Sequence, residues 1–207
     1  MHVASKATAD PSRERDQLLR DAYMIAQRAG YIRGGRATLA RLGQRAVESD
    51  DLDRARLMFQ QQLDIADESS DTALDVDSAI ALGDILRRDG DLMGAQAVFR
   101  RASRSGARID HARGVAEALV RQIELMDSGT SLETMAALQR QAFDAAQRTS
   151  DLGLQSRIII SLSETLARMG RIEDVIPLLE EGVEIARQIG DLSVESSCLT
   201  ALIEAER

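Results

Sequence analysis

Residues 30 to 36, Gly30-Tyr31-Ile32-Arg33-Gly34-Gly35-Arg36, space their glycines much as a phosphate-cradling loop would. That chemistry needs G-x-x-x-x-G followed by Lys and Ser or Thr, placed between a strand and a helix. The Lys-Ser/Thr pair is absent and a helix precedes the segment, so phosphate binding is rejected. Gly34 and Gly35 are read instead as permitting close helix approach. The two histidines, His2 and His111, have no Cys or His at ligand spacing, so neither a metal site nor a cofactor is expected. His111 reads as a helix start. Cys198 shares a register with Thr38, Ser78, Ala118 and Ile158 and has no evident His partner. It reads as a small packing residue rather than a nucleophile. The pair Glu180-Glu181 lies on an outer helix face and lacks the burial that acid–base work requires. No catalytic constellation emerges, and the expectation is that the protein is not an enzyme.

Composition narrows the elements that position these side chains. Of 207 residues, 34 are acidic and 26 basic, and Lys6 is the only lysine. One Cys excludes an intrachain disulfide framework. No apolar run approaches the ~20 residues that span a bilayer, and the first residues lack a signal-peptide core, so the expected compartment is the cytoplasm, away from membranes. Aromatics are 2% of the chain, too few for the strands of a β-sandwich or an α/β enzyme of this size. The abundant Ala, Leu, Arg, Glu, Asp and Gln are mostly good helix formers.

The chain repeats with a period of 40. One register reads Leu39, Ala79, Leu119, Ile159, Leu199; another reads Leu42, Leu82, Gln122, Leu162, Leu202. Leu52, Leu92, Leu132 and Ile172 follow, then Phe59, Phe99, Gln139 and Leu179. Apolar spacing within a unit is three or four, the signature of a helix with one buried face. Short polar turns such as Arg88-Asp89-Gly90-Asp91 separate two helices per unit, A and B. The predicted layout is a flexible tail over 1–11 and a single solenoid over 12–206. That solenoid comprises a lone helix at 12–29, pairs at 31–70, 71–110, 111–150 and 151–190, and a lone helix at 191–206. Pro177 inside the last B helix predicts a local kink.

Leu42-Gly43, Ala46, Leu52, Ala55, Phe59 and then Leu82-Gly83, Leu86, Gly90, Leu92, Ala95, Phe99, Ala102 resemble the tetratricopeptide repeat (TPR) pattern. The 40-residue period resembles its longer variant. That variant occurs in spindle-orientation adaptors, peptide-responsive bacterial regulators and the sensor arms of maltose-activator-type transcription factors. The resemblance implies an all-α fold, a right-handed α-solenoid of stacked antiparallel helix pairs. It departs most in the third unit, where Gln122 and Gln139 replace apolar residues. Independently of the resemblance, stacked hairpins bury apolar faces that one hairpin cannot bury alone.

The resemblance also implies that A helices line an inner groove that binds extended or helical segments of partners. The residues projected there are Arg41, Gln44, Ile80, Asp84, Arg87, Val120, Arg121, Glu124, Ile160, Glu164 and Arg168. They form an apolar strip beside an acidic ladder with scattered Arg. One reading is a groove for an amphipathic segment carrying apolar anchors and basic groups. The other is solvated surface beside inter-repeat packing.

Charge is uneven: residues 1–45 carry nine basic and four acidic groups, the remainder 17 and 30. The Arg28, Arg33, Arg36, Arg41, Arg45 group reads first as a solvated face, with an acidic partner or phosphate as the alternative. The acidic balance and the lack of interleaved aromatics argue against nucleic acid. The leading expectation is a protein-binding adaptor, or scaffold, holding a partner peptide or helix. The alternatives are a peptide-responsive regulatory sensor module and a self-assembling structural protein, a homo-oligomer through its terminal helices. Leu18, Leu19 and Ile25 leave one end apolar; Leu199, Leu202 and Ile203 leave the other so.

Overall fold

A computed structural model describes residues 11–65, 72–126 and 129–205. It contains ten α-helices and no strand among these residues. They are α1 Pro11–Arg28, α2 Ile32–Glu48, α3 Leu52–Asp64, α4 Ala73–Arg88, α5 Leu92–Arg108, α6 Ala112–Glu124, α7 Leu132–Gln147, α8 Leu152–Arg168, α9 Ile172–Ile189 and α10 Leu192–Ala205. Of the tail expected over 1–11, residues 1–10 lie outside the described residues, as do the unit boundary at Asp71 and Glu206, whereas Pro11 opens α1. Each helix packs on its chain neighbours. Next-but-one contact surfaces join α2 to α4, α4 to α6 and α8 to α10, which sets these A-type helices side by side along one wall. Between α6 and α8 the approach is looser.

The turns explain the period. Gly30, Asp50, Gly90, Asp110, Gly170 and Gly190 all have positive φ and fall on a 20-residue grid. At Asp50 and Asp110, φ is 57° and 56°, a left-handed turn made by the residue type that tolerates it best after Gly and Asn. One residue later the chain caps the next helix. Asp51, Asp91, Ser131, Asp151 and Asp191 accept from the backbone N–H three residues on. His111 does the same through Nδ1, accepting from the N–H of Gly114 at 3.1 Å, so its ring serves a helix start. A Cβ on residue 114 would meet that imidazole at 2.3 Å, which is why glycine stands there. The helix α9 runs on through Pro177, its sixth residue.

Packing in the first two pairs rests on one device. Gly43 in α2 lies under the Phe59 ring and Gly83 in α4 under the Phe99 ring. A Cβ at either site would approach within 2.8 or 2.4 Å of the ring, so only glycine lets these helices close. Phe99 is fully buried as a result. Gly35 contacts α1 at ordinary distance, beside Tyr23 and Ala26, whereas Gly34 accommodates the ring of Tyr31.

Polar residues stitch the stack where apolar ones were expected. Gln122 donates to the carbonyls of Phe99 and Ala118 and to Ser103. Gln139 donates to Ser161 Oγ at 2.6 Å and to its carbonyl at 3.0 Å, crossing from α7 to α8. The larger node is Asp75. It is buried with Arg36 as an ion pair, and it accepts from Gln62 and from both the N–H and hydroxyl of Thr72. Burial alone would push its carboxyl up, but Arg36, Thr72 and Gln62 together hold it below the usual range. Arg45 donates to Asp16, which Arg54 also contacts at 3.1 Å. Two members of the N-terminal arginine group, Arg36 and Arg45, are therefore structural rather than part of a solvated face. The sequence reading missed this because their acidic partners lie about 30 to 40 residues away.

Candidate functional site

The inner positions separate into two zones. On α4 and α6 the carboxylates are not a free ladder. Arg121 sits 2.9 Å from Asp84, Arg87 sits 2.9 Å from Glu124, and the cross pairs close at 3.5 and 3.4 Å. Two acids and two arginines thus alternate in a closed, half-exposed ring of charge bridging the helices. Two of the arginines described as scattered, Arg87 and Arg121, are the counter-ions of Asp84 and Glu124. Such a network leaves little net charge to steer a ligand. Ile80 beside it is buried in the core, so it offers little to a partner. Arg41 and Gln44 are exposed on α2 and line a shallow 200 Å³ hollow with Leu74 and Asp77 of α4.

The second zone is the inner face of α8. Here the repeat pattern changes: Ile123 stands where Gly43 and Gly83 stand, and Gln139 where Phe59 and Phe99 stand. The tight glycine-on-ring contact is lost, and α6, α7 and α8 enclose a partly open cavity of about 410 Å³. Val120, Ile123, Met135 and Ile158 supply apolar wall; Gln139, Ser161, Glu164 and Arg168 supply polar groups. On the other flank of α8 a cavity of about 270 Å³ opens towards α9 and α10, lined mainly by Ile160, Ala167, Ile172, Val175, Leu179 and Ala201. Glu164 borders both cavities. It is exposed, and no ion pair to it occurs among the described residues. Each cavity also holds one buried polar atom without a partner, Gln139 Oε1 in the first and Ser163 Oγ in the second.

The projected positions Val120, Ile160, Glu164 and Arg168 thus come together around α8, while Asp84, Arg87, Arg121 and Glu124 are committed to each other, Glu124 also bordering the larger cavity. Sequence reasoning missed Ile123, Met135, Ile158 and Gln139. The signal was present as the break in the Gly/Phe registers, but a broken register alone does not say whether the gap is filled.

No group of three or more metal-ligating side chains occurs among the described residues, and no described helix is long and apolar enough to cross a membrane. Cys198 is buried against Gly182, and burial pushes its thiol up, away from the reactive thiolate.

No protein-family model matches the chain, and no curated protein matches its sequence. Solved structures do match. BtubC from P. vanneervenii superposes with a TM-score of 0.59 at 11% identity, over 95% of this chain and 91% of that one. TPR-like repeats of a Podosopora anserina kinesin light chain give 0.60 at 12%, over 86% and 88%. The Rap conjugation gene regulator of plasmid pLS20, solved with the Phr* peptide, gives 0.55 at 17%, over 95% of this chain and 62% of that one. Identities this low speak to the fold alone, and with the ten-helix architecture they establish it: the chain folds as a TPR-like α-solenoid.

Proposed function

We propose that this protein is a non-enzymatic interaction module that holds an amphipathic helix or peptide of a partner protein across the inner face of α8. The observation that carries the reading is Glu164, a carboxylate without an ion pair standing between two apolar cavities. Cavities on opposite flanks of one helix lie about 10 Å apart. A bound helix spans that distance in about seven residues at 1.5 Å each, so apolar side chains at i and i+7 fill the cavities. A Lys or Arg at i+3 or i+4 on the same face then meets Glu164. Glu204, at the rim of the smaller cavity, adds a second carboxylate on that flank, while Arg157 and Arg168 line the larger one. Peptide binding by the Rap regulator on a similar solenoid supports the reading. The module is proposed for the cytoplasm, with neither nucleic acid nor membrane as partner.

Selection from a displayed random peptide library tests it. Enriched peptides are expected to carry the apolar–basic–apolar spacing, and Glu164→Arg is expected to weaken them at least ten-fold. Asp84→Asn is expected to leave them within about two-fold, since Asp84 is already neutralised by arginine. Peptides that bind Glu164→Arg as well as the wild type would remove α8 from the proposal. The looser α6–α8 joint favours a second reading, a sensor whose superhelix pitch changes when that cavity fills. A scattering radius that does not change on saturation with a selected peptide would exclude it.

A further inference from the structure

Among the described residues, the first helix, α1, is B-type with no A helix on its outer side, and the last, α10, is A-type with no B helix beyond it; the two are complementary halves of one A–B pair. Residues that interior repeats bury are open at both ends. Ile159 and Ser163 in α8 are 0% and 3% exposed, while their counterparts Leu199 and Ile203 in α10 are 40% and 57% exposed. Ser105 in α5 and Ile185 in α9 are each 5% exposed and Ile65 in α3 is 40% exposed, while their counterpart Ile25 in α1 is 65% exposed.

Charge is matched as well as shape. The hollow between α1 and α2 is lined by Leu18 and Leu19, with Arg15 and Arg41, the Asp16-paired Arg45, and one acid, Glu48. The hollow between α9 and α10 is lined by Leu199 and Leu202, with Glu180 and Glu181 and the Glu184–Arg187 ion pair. In a TPR-like stack an A helix lies between its own B helix and the next A helix, which is the position of the first hollow. A B helix lies against its own A helix, beside the second.

We infer that the protein associates head to tail with a second copy of itself. The α10 helix of one copy enters the α1–α2 hollow of the next, and the α1 helix of that copy enters the α9–α10 hollow of the first. The joint restores one complete A–B pair and brings an arginine-rich rim onto a glutamate-rich one. The interface is heterologous, so association continues beyond the dimer unless the superhelix closes into a ring. Neither hollow includes α8, although α9 and α10 also line the smaller cavity beside it.

Sedimentation equilibrium of the 207-residue chain, up to about 1 mM, tests it together with two single-face variants. Leu18→Glu places an acid opposite the glutamates, and Leu199→Arg places a base opposite the arginines; both sites are exposed, so the fold tolerates the changes. The wild type is expected to rise past the dimer mass with concentration and to weaken at high salt. Each variant alone is expected to remain monomeric. Their equimolar mixture is expected to give a dimer and nothing larger, since one intact head remains for one intact tail. A wild type that stays at the monomer mass overturns the inference. So does either variant forming dimers alone, which means a two-fold interface, or a mixture that stays monomeric.

Discussion

In the α4–α5 pair a glycine lies under a phenylalanine; in the α6–α7 pair an isoleucine faces a glutamine. The first arrangement lets two backbones close until an aromatic ring fills the space between them. The second puts no ring between α6 and α7 and links α7 to α8 through the Gln139–Ser161 hydrogen bonds. The cavity beside α8 is the consequence. The same period therefore builds a sealed half and an open half, and polar chemistry follows the split. Asp75 and Asp16 are locked to arginines in the sealed half, while Glu164 stands without one in the open half. A repeat protein can thus open a cavity by relaxing one interior contact while its period stays intact.

The largest expected effect comes from removing the ring. Phe99→Ala leaves a cavity in a fully buried site and is expected to lose about 3–5 kcal/mol in chemical denaturation. Gln139→Ala removes its hydrogen bonds next to an existing cavity and is expected to lose about 1–2 kcal/mol. Equal losses would erase the distinction between the halves. Next is Arg36→Ala, which strands the Asp75 carboxylate and is expected to lose about 3 kcal/mol. Gly83→Ala follows at about 1–3 kcal/mol, because the new methyl meets the Phe99 ring.

A graft sharpens the comparison further. Ile123→Gly with Gln139→Phe transfers the sealed contact to the third pair. Stability is expected to change by less than about 1 kcal/mol, while xenon or small-hydrocarbon binding beside α8, followed by NMR, disappears. Retained binding would show that the glycine–ring pair is not what seals the other joint.

The smallest effect is acid sensitivity. The Asp16 carboxyl is held below its usual range chiefly by the hydrogen bond from Arg45, and that of Asp75 by its partners against burial. Both groups therefore contribute stability that is fully present above the unfolded carboxylate value of about 4. It is lost as pH falls through their lower folded values. Asp77 runs the other way, since burial raises it, and it gains on protonation. Amide exchange between pH 5 and pH 3 is expected to rise first in α1 to α4 and later in α8 to α10. The reverse order would contradict the placement of the locked carboxylates.

Much of this was legible in the residues. The 40-residue period fixed helix number and order, because apolar positions every three or four residues and Asp or Ser caps act over a few residues of chain. Gly43 with Gly83, and Phe59 with Phe99, were legible as repeat positions, since each recurs 40 residues on in register. What could not be read was which acid each arginine would choose. Arg121 lies near Glu117 and Glu124 in sequence, yet its shortest pairing is with Asp84, 37 residues away, because adjacent A helices bring the two to 2.9 Å. The buried Arg36–Asp75 pair was hidden for the same reason. Whether Gln139 would fill its slot or leave space beside it depends on the spacing of three helices at once. Local pattern sets what each helix is; the distances between helices, summed over many non-local contacts, decide which charges cancel and where the wall opens.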